Sequence, residues 1–301
     1  MPRMHRKMIS LLACLLAAAL AAPCAAEGEH ADKPAERRLL ERQIDQWAHG
    51  LAARPGFERF AAAKAKIEPL GPGTHGWLVR FEDKGDTVGY MVVHALKGGG
   101  FALTEYGIGE APLYSAERLR EGLERLGLAG EEGNQQGERP GGIDVERRYV
   151  HPLGAAWRVE TVDGIFYLDA KTGEELPADD RLWNGEEPEA AACLEERLSG
   201  GARPSGSLAH LAESPPFDPY GRLPWITRQP LEWAGADIAA LLAGGAELRL
   251  VAERFGGAFL YVLPVVAWHE WEDGTGYIGV DQDGLRFIPK ACLEPVARLY
   301  D

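Results

Sequence analysis

Twice along this chain, apolar residues spaced for a helix give way to apolar residues that alternate. The two periods, 3.6 and 2, cannot be satisfied by one backbone conformation, so each switch fixes a change of element. Leu40, Ile44, Trp47 and Leu51 recur at i, i+4, i+7 and i+11, one face of a helix. Arg54-Pro55-Gly56 interrupts it, and Phe57, Phe60 and Ala61 open a second short helix expected to end near Lys66. The pattern then becomes two-fold: Trp77, Val79 and Phe81 alternate with Leu78, Arg80 and Glu82. Asp83-Lys84-Gly85-Asp86 turns the chain, Val88, Tyr90, Val92 and His94 continue the alternation, and Gly98-Gly99-Gly100 leads to a third strand over Phe101–Ile108. A helix followed by an antiparallel meander is an α+β unit.

The second switch follows directly. Ser115 can cap a helix with the face Leu119, Leu123 and Leu126, and Gly127 can stop it. A polar, Gly-rich loop over 129–142 precedes a strand at Asp144–Val150 and a hairpin of Ala156–Thr161 with Gly164–Asp169. From 174 to 222 periodicity fades into Glu, Pro, Gly and Ser. A structureless stretch this long is unusual within one compact domain, which predicts a linker. Beyond it, Glu232–Leu242 reads as a helix. Strands follow at Leu248–Ala252, Ala258–Trp271, Tyr277–Val280 and Leu285–Ile288, with Pro264 implying a bulge or an edge. Asp281-Gln282-Asp283-Gly284 is a hairpin turn, and a small twisted sheet or SH3-like barrel fits. The expected division is 1–26 signal peptide, 27–112 first meander module, 113–180 second module, 181–222 linker and 223–301 small β-rich domain.

The segment 1–26 has the three-part plan of a secretory signal. Arg3, His5, Arg6 and Lys7 are basic, Met8 to Ala22 is apolar, and Cys24, Ala25 and Ala26 are small. The apolar run is shorter than the roughly 20 residues of a spanning helix. Cleavage is expected after Ala26. Pro23 before Cys24 and the early Cys14 do not fit a lipidation site. The expected destination is therefore secreted or cell envelope, with no stable transmembrane segment after processing. The formal charge of −14 (32 basic against 46 acidic residues) becomes −17 once Arg3, Arg6 and Lys7 leave. Such a surface is repelled by phosphate backbones, so nucleic acid is not an expected partner. Processing also leaves Cys193 and Cys292 as the remaining cysteines, and an oxidising compartment predicts a Cys193–Cys292 disulfide.

Catalytic and metal motifs test poorly. Gly71-Pro72-Gly73-Thr74-His75-Gly76 has the G-x-G-x-x-G spacing, but a strand follows it where a phosphate-binding helix is needed. His269-Glu270-Trp271-Glu272-Asp273 lacks the second His of H-E-x-x-H, and lies in a strand. Asp281, Asp283 and Gly284 miss the full ligand spacing of a calcium loop. Cys193 followed by His269 has the order of a thiol and its base, the one hydrolase reading available, although nothing near Cys193 lowers a thiol pKa. Trp77, Trp157, Trp268 and Trp271 read as core. Trp225 and Trp233, near the proline-rich stretch, are the candidates for exposed rings in a carbohydrate or cell-wall binding reading. No catalytic residue, metal ligand or cofactor site is assigned.

Trp157-Arg158-Val159-Glu160-Thr161 followed by Gly164-Ile165-Phe166-Tyr167-Leu168-Asp169-Ala170-Lys171-Thr172-Gly173-Glu174 resembles the PepSY family, with its W-x-V strand and its strand ending in D-A-x-T-G. The resemblance covers 115–180, with the helix in the expected place. The segment around Gly89-Tyr90-Met91-Val92-Val93 is similar to the cystatin-like meanders of secreted protease propeptides. The resemblance implies a module that restrains peptidases and carries no catalytic residues. The expectation is an α+β, non-enzymatic binding or regulatory protein at the cell exterior. Its expected partner is a secreted peptidase or a cell-wall component.

Overall fold

The computed structural model describes residues 34–128, 142–185, 194, 196, 198 and 203–301; the expected signal segment and Cys193 lie outside the described residues. The fold is α+β. Helix α1 (Pro34–Ala52) ends where Arg54-Pro55-Gly56 breaks the pattern, and a 3-10 turn (Glu58–Ala61) follows. Strands β1 (Lys64–Pro69), β2 (Gly76–Asp83), β3 (Asp86–Ala95) and β4 (Phe101–Ile108) form the first meander. The short helix expected to reach Lys66 stops at Ala61, because Lys64–Pro69 pairs with β2 from Lys64↔Glu82 to Pro69↔Trp77.

Helix α2 (Ala116–Arg125) leads to β5 (Asp144–His151), β6 (Gly154–Thr161), β7 (Gly164–Asp169) and β8 (Glu175–Leu176), which make a separate four-stranded sheet. The C-terminal strands are β9 (Leu208–Glu213), β10 (Leu248–Arg254), β11 (Phe259–Trp271), β12 (Gly276–Asp281), β13 (Leu285–Pro289) and β14 (Arg298–Tyr300). They do not close a barrel of their own. The large sheet runs β1-β2-β3-β4-β13-β12-β11-β10-β14, with β9 added on β11. The segments 27–112 and 223–301, expected as separate units, therefore share one ten-stranded sheet.

The join is the antiparallel pairing of β4 with β13, Tyr106↔Phe287 and Gly107↔Arg286. Gly107 makes it possible: a Cβ there would sit 2.5 Å from a Tyr90 ring carbon and 2.8 Å from the Leu285 carbonyl oxygen. The expected 181–222 linker also contributes to the sheet. Strand β9 pairs Ala212 with Trp268 and Leu211 with His269, beside the end of β10 on the same flank of β11. Ahead of β9, the Trp47 indole N–H donates to the Pro204 carbonyl (2.8 Å) and the Glu272 N–H to that of Ser207 (3.0 Å). The bulge implied by Pro264 falls between Val265 and Ala267. The helix expected from Glu232 begins only at Ile238, where the Asp237 carboxylate accepts from the Ala240 N–H (3.0 Å).

Three layers result. On one face of the large sheet, Leu40, Ile44, Trp47, Leu51 and Phe60 bury against Val79, Phe81, Met91, Val93 and Tyr106. On the other, Leu78, Val92, Leu250 and Val265 belong to the apolar layer that also contains Tyr149, Ala155, Trp157, Val159 and Leu168 of the small sheet. The four α1 side chains alone contribute roughly 6–12 kcal/mol of gross burial before entropy is charged against them. Among the described residues, no helix is long and apolar enough to cross a membrane.

Candidate functional site: a buried seam and an aromatic groove

Charged residues concentrate where β4 meets β13 and the small sheet docks. Glu105 and Arg286 are 0% and 2% exposed. Arg286 donates to both Glu105 oxygens (Nε 2.9 Å, Nη2 2.8 Å), to the Pro152 carbonyl (2.8 Å) and to the Gln282 side chain. The Tyr90 hydroxyl donates to the same carboxylate. Burial opposes the Arg286 charge, but Glu105 and Tyr90 more than offset it and its pKa is raised. A bulge in β4 creates this geometry. Val92 pairs with Glu105 but Val93 with Leu103, so the extra residue re-aims the strand: Leu103 and Tyr106 stay in the α1 layer while Glu105 turns to the seam.

The D-A-x-T-G turn sits at the same seam. Asp169 Oδ1 accepts from the Lys171 and Thr172 N–H groups (both 2.8 Å), and Oδ2 accepts from the Tyr261 hydroxyl (2.5 Å). Lys171 donates to the carbonyls of Ala111 (2.5 Å) and Asp283 (3.0 Å). Burial, then the Arg286 charge, brings its pKa down to about 8. His151 lies 2.7 Å from Arg254 Nη1, and burial followed by the Arg254 and Arg286 charges keeps it well below the usual histidine range. The motif thus fastens the small sheet to the large one. These groups are buried and mutually engaged, an arrangement for specifying a packing rather than for receiving a substrate.

The residues singled out from the sequence scatter. His269 is in the core, 3.0 Å from the Tyr106 hydroxyl and stacked on Phe287 with ring centroids 3.8 Å apart. Burial, then the Arg54 charge, takes its pKa to about 3, so it stays neutral at neutral pH and is a poor acceptor for a thiol proton. Cys292 is buried on the short helix Lys290–Leu293. The Gly71–Gly76 segment is the β1–β2 turn, where the Thr74 hydroxyl donates to the Gly71 carbonyl (2.7 Å). Asp281–Gly284 is a hairpin turn with Asp283 at φ 49°. Among the described residues, no cluster of His, Cys, Asp and Glu could hold a metal. Trp77, Trp157, Trp268 and Trp271 are buried, whereas Trp225 and Trp233 are half-buried.

Trp225 and Trp233 border a groove at the β10–β14 end of the large sheet. The proline-rich strand of chain from Ser214 to Pro230 lies across that end. Prolines supply no N–H for a ladder, so the segment straps the sheet instead of extending it. Buried Arg249 holds the strap, donating to the Pro219 carbonyl (2.9 Å) with its guanidinium 4.7 Å over the Phe217 ring. Leu231 N–H bonds the Leu299 carbonyl (2.8 Å). Trp225 rides on the turn of helix Pro224–Thr227, packs on Val251, Val262 and Tyr300, and meets Tyr220 edge-on at 6.1 Å. The Trp233 indole N–H donates to the Ala297 carbonyl (3.2 Å), so its polar edge is satisfied, and the half-buried ring packs against the core while it borders the groove. The groove encloses about 460 Å³ and includes Leu260, Glu232, Glu253 and Arg298 in its walls. A second hollow of about 520 Å³ lies beyond Leu231 and Glu232. Tyr220, Leu223 and Ile226 (70% exposed) stand on the adjoining strap. A larger cleft of about 730 Å³ lies between α1 and the 203–207 segment.

The sequence marked Trp225 and Trp233 but gave no sign of Glu105, Arg286 or Arg249, whose side chains turn inward for reasons of register and strap placement. Searches of protein-family models, curated proteins and solved structures find no match to this chain.

Proposed function

We propose that this chain is an exported, non-enzymatic binding protein that engages a protein partner through the Trp225–Trp233 groove, and that the partner is a secreted peptidase which it restrains. The observation that carries the reading is the groove itself. Half-buried Trp225 and Trp233 and exposed Leu260 line it, and exposed Tyr220, Leu223 and Ile226 stand on the adjoining pinned strap; exposed apolar side chains gathered in this way mark interaction sites. The order α2–β5–β6–β7–β8, with Trp157 and the Asp169–Gly173 turn in place, supports treating 113–180 as a PepSY-like module. The preceding α1 and β1–β4 form its cystatin-like companion. The buried, weakly basic His269 weighs against the rival reading of a cysteine hydrolase.

The test is capture from culture supernatant and envelope with the processed chain, comparing wild type with Ile226→Asp. A peptidase captured by wild type, lost with the variant, and slowed by added wild-type protein is the expected result. A partner retained equally by Ile226→Asp would move the site elsewhere. A Cys193 thiol that alkylates rapidly at pH 6 would return the hydrolase reading to first place.

A further inference from the structure

Resting on that reading, we propose that the groove takes an extended, cationic segment of the partner, with a Lys or Arg side chain lying over the Trp225 and Trp233 rings and facing the carboxylates of Glu232 and Glu253. The walls carry three carboxylates, Glu232, Glu253 and Glu294, against one guanidinium, Arg298. Glu294 is occupied by Lys290 (2.9 Å). Glu232 and Glu253 are exposed and have no ion pair among the described residues. Indole faces attract cations through the ring quadrupole, and adjacent carboxylates add to that attraction. The Trp233 N–H is already bonded to Ala297, so the part of this ring that lines the groove offers π surface and not a donor.

The shape of the site favours an extended chain over a compact one. The 460 Å³ groove and the 520 Å³ hollow share Leu231 and Glu232 in their walls, and Ala236, Ala240 and Leu241 line the hollow, so a small-residue surface adjoins the acidic groove. Beside it, β10 runs on through Ala252–Arg254 after its last pairing with β14, Val251↔Arg298. Aromatic walls with acidic rims suit extended, proline-containing peptides that pay little ordering entropy. A neutral glycan would use the same rings but gain nothing from the excess of carboxylate, which makes it the lesser fit.

The experiment is fluorescence anisotropy of the full processed chain with three probes: a short labelled peptide of Lys, Pro and Val, its Glu-for-Lys counterpart, and a labelled chitin oligosaccharide. The Lys peptide is expected to bind, more weakly as salt rises, and the Glu peptide not to bind. Glu232→Gln and Glu253→Gln, both at exposed positions, should each weaken binding about two- to fivefold with unchanged melting temperature. Trp225→Ala should weaken it about thirtyfold or more. Equal binding of the Lys and Glu peptides, indifference to both Glu→Gln changes, or binding of the oligosaccharide alone would overturn the inference. If Ile226→Asp still abolishes partner capture while no Lys peptide binds, the inference fails and the protein-binding reading stands. If neither capture nor peptide binding depends on the groove, both fail.

Discussion

Replacing Arg286 by Met tests whether the seam holds the molecule together. The side chains are of similar length, so the change removes charge and donors more than volume. It deletes two charge-assisted hydrogen bonds to Glu105 (2.9 and 2.8 Å) and leaves that carboxylate fully buried with Tyr90 as its remaining donor. Removing one partner of a buried ion pair costs about 3–5 kcal/mol. The Pro152 carbonyl, 2.8 Å from Arg286, also loses its donor, adding about 1–3 kcal/mol. The expected loss of roughly 4–8 kcal/mol rivals the whole stability of an ordinary domain. The double variant Glu105→Gln/Arg286→Met removes both charges and keeps an acceptor for Tyr90. It should recover to within about 1–3 kcal/mol of wild type, because it leaves no stranded charge and retains only the cost of the Pro152 carbonyl without its donor. Urea unfolding followed by tryptophan fluorescence reads both as shifts in midpoint at constant slope. A single variant that loses less than about 1 kcal/mol, or a double variant as unstable as the single, would refute the argument.

Gly107→Ala forces a Cβ into the Tyr90 ring and the Leu285 carbonyl, and should cost about 1–3 kcal/mol in the same assay; a neutral effect would mean that β4 and β13 can separate slightly without penalty. His94 and His269 are held neutral, with pKa values of about 4 and about 3, in each case chiefly by burial. The unfolded chain protonates below about 6.5, so falling pH favours unfolding from there downward, by up to ~1.4 kcal/mol per pH unit for each group. His269→Phe should flatten that slope between pH 6.5 and 4, and parallel curves would count against it. On the outer face of the small sheet, Arg158 grips Asp180 with two 2.8 Å bonds and lowers its pKa to about 2. Because the folded value is depressed, the contribution is present above the unfolded pKa and disappears as pH falls through about 2. With the Asp180 side chain 41% exposed, Asp180→Asn should cost about 1 kcal/mol or less at pH 7 and nothing at pH 2 by thermal melting. For the proposed Cys193–Cys292 disulfide, intact mass after alkylation without reductant should show no added label. Two labels would disprove the bond.

Element types were legible because they depend on local periodicity. Leu40, Ile44, Trp47 and Leu51 share one buried helix face, as their spacing required, and the hairpins at Asp83–Asp86 and Asp281–Gly284 turn where their residues demanded. The candidate groove was half legible: Trp225 and Trp233 stood out as aromatic residues beside prolines, with Glu232 next in sequence to Trp233, but Glu253 of β10 and Glu294 reach the groove from segments distant in sequence. What alternation cannot report is which strand lies beside which, since β4 would look the same at an edge or at the centre of a sheet. Tertiary structure decided that β4 meets β13, so two apparent units became one sheet. It also decided, through a single-residue bulge, that Glu105 points into the seam toward Arg286, 181 residues away. A one-residue change of register reverses the face of every side chain beyond it. No composition or spacing within β4 encodes that choice; it follows from the partner that can satisfy the buried charge.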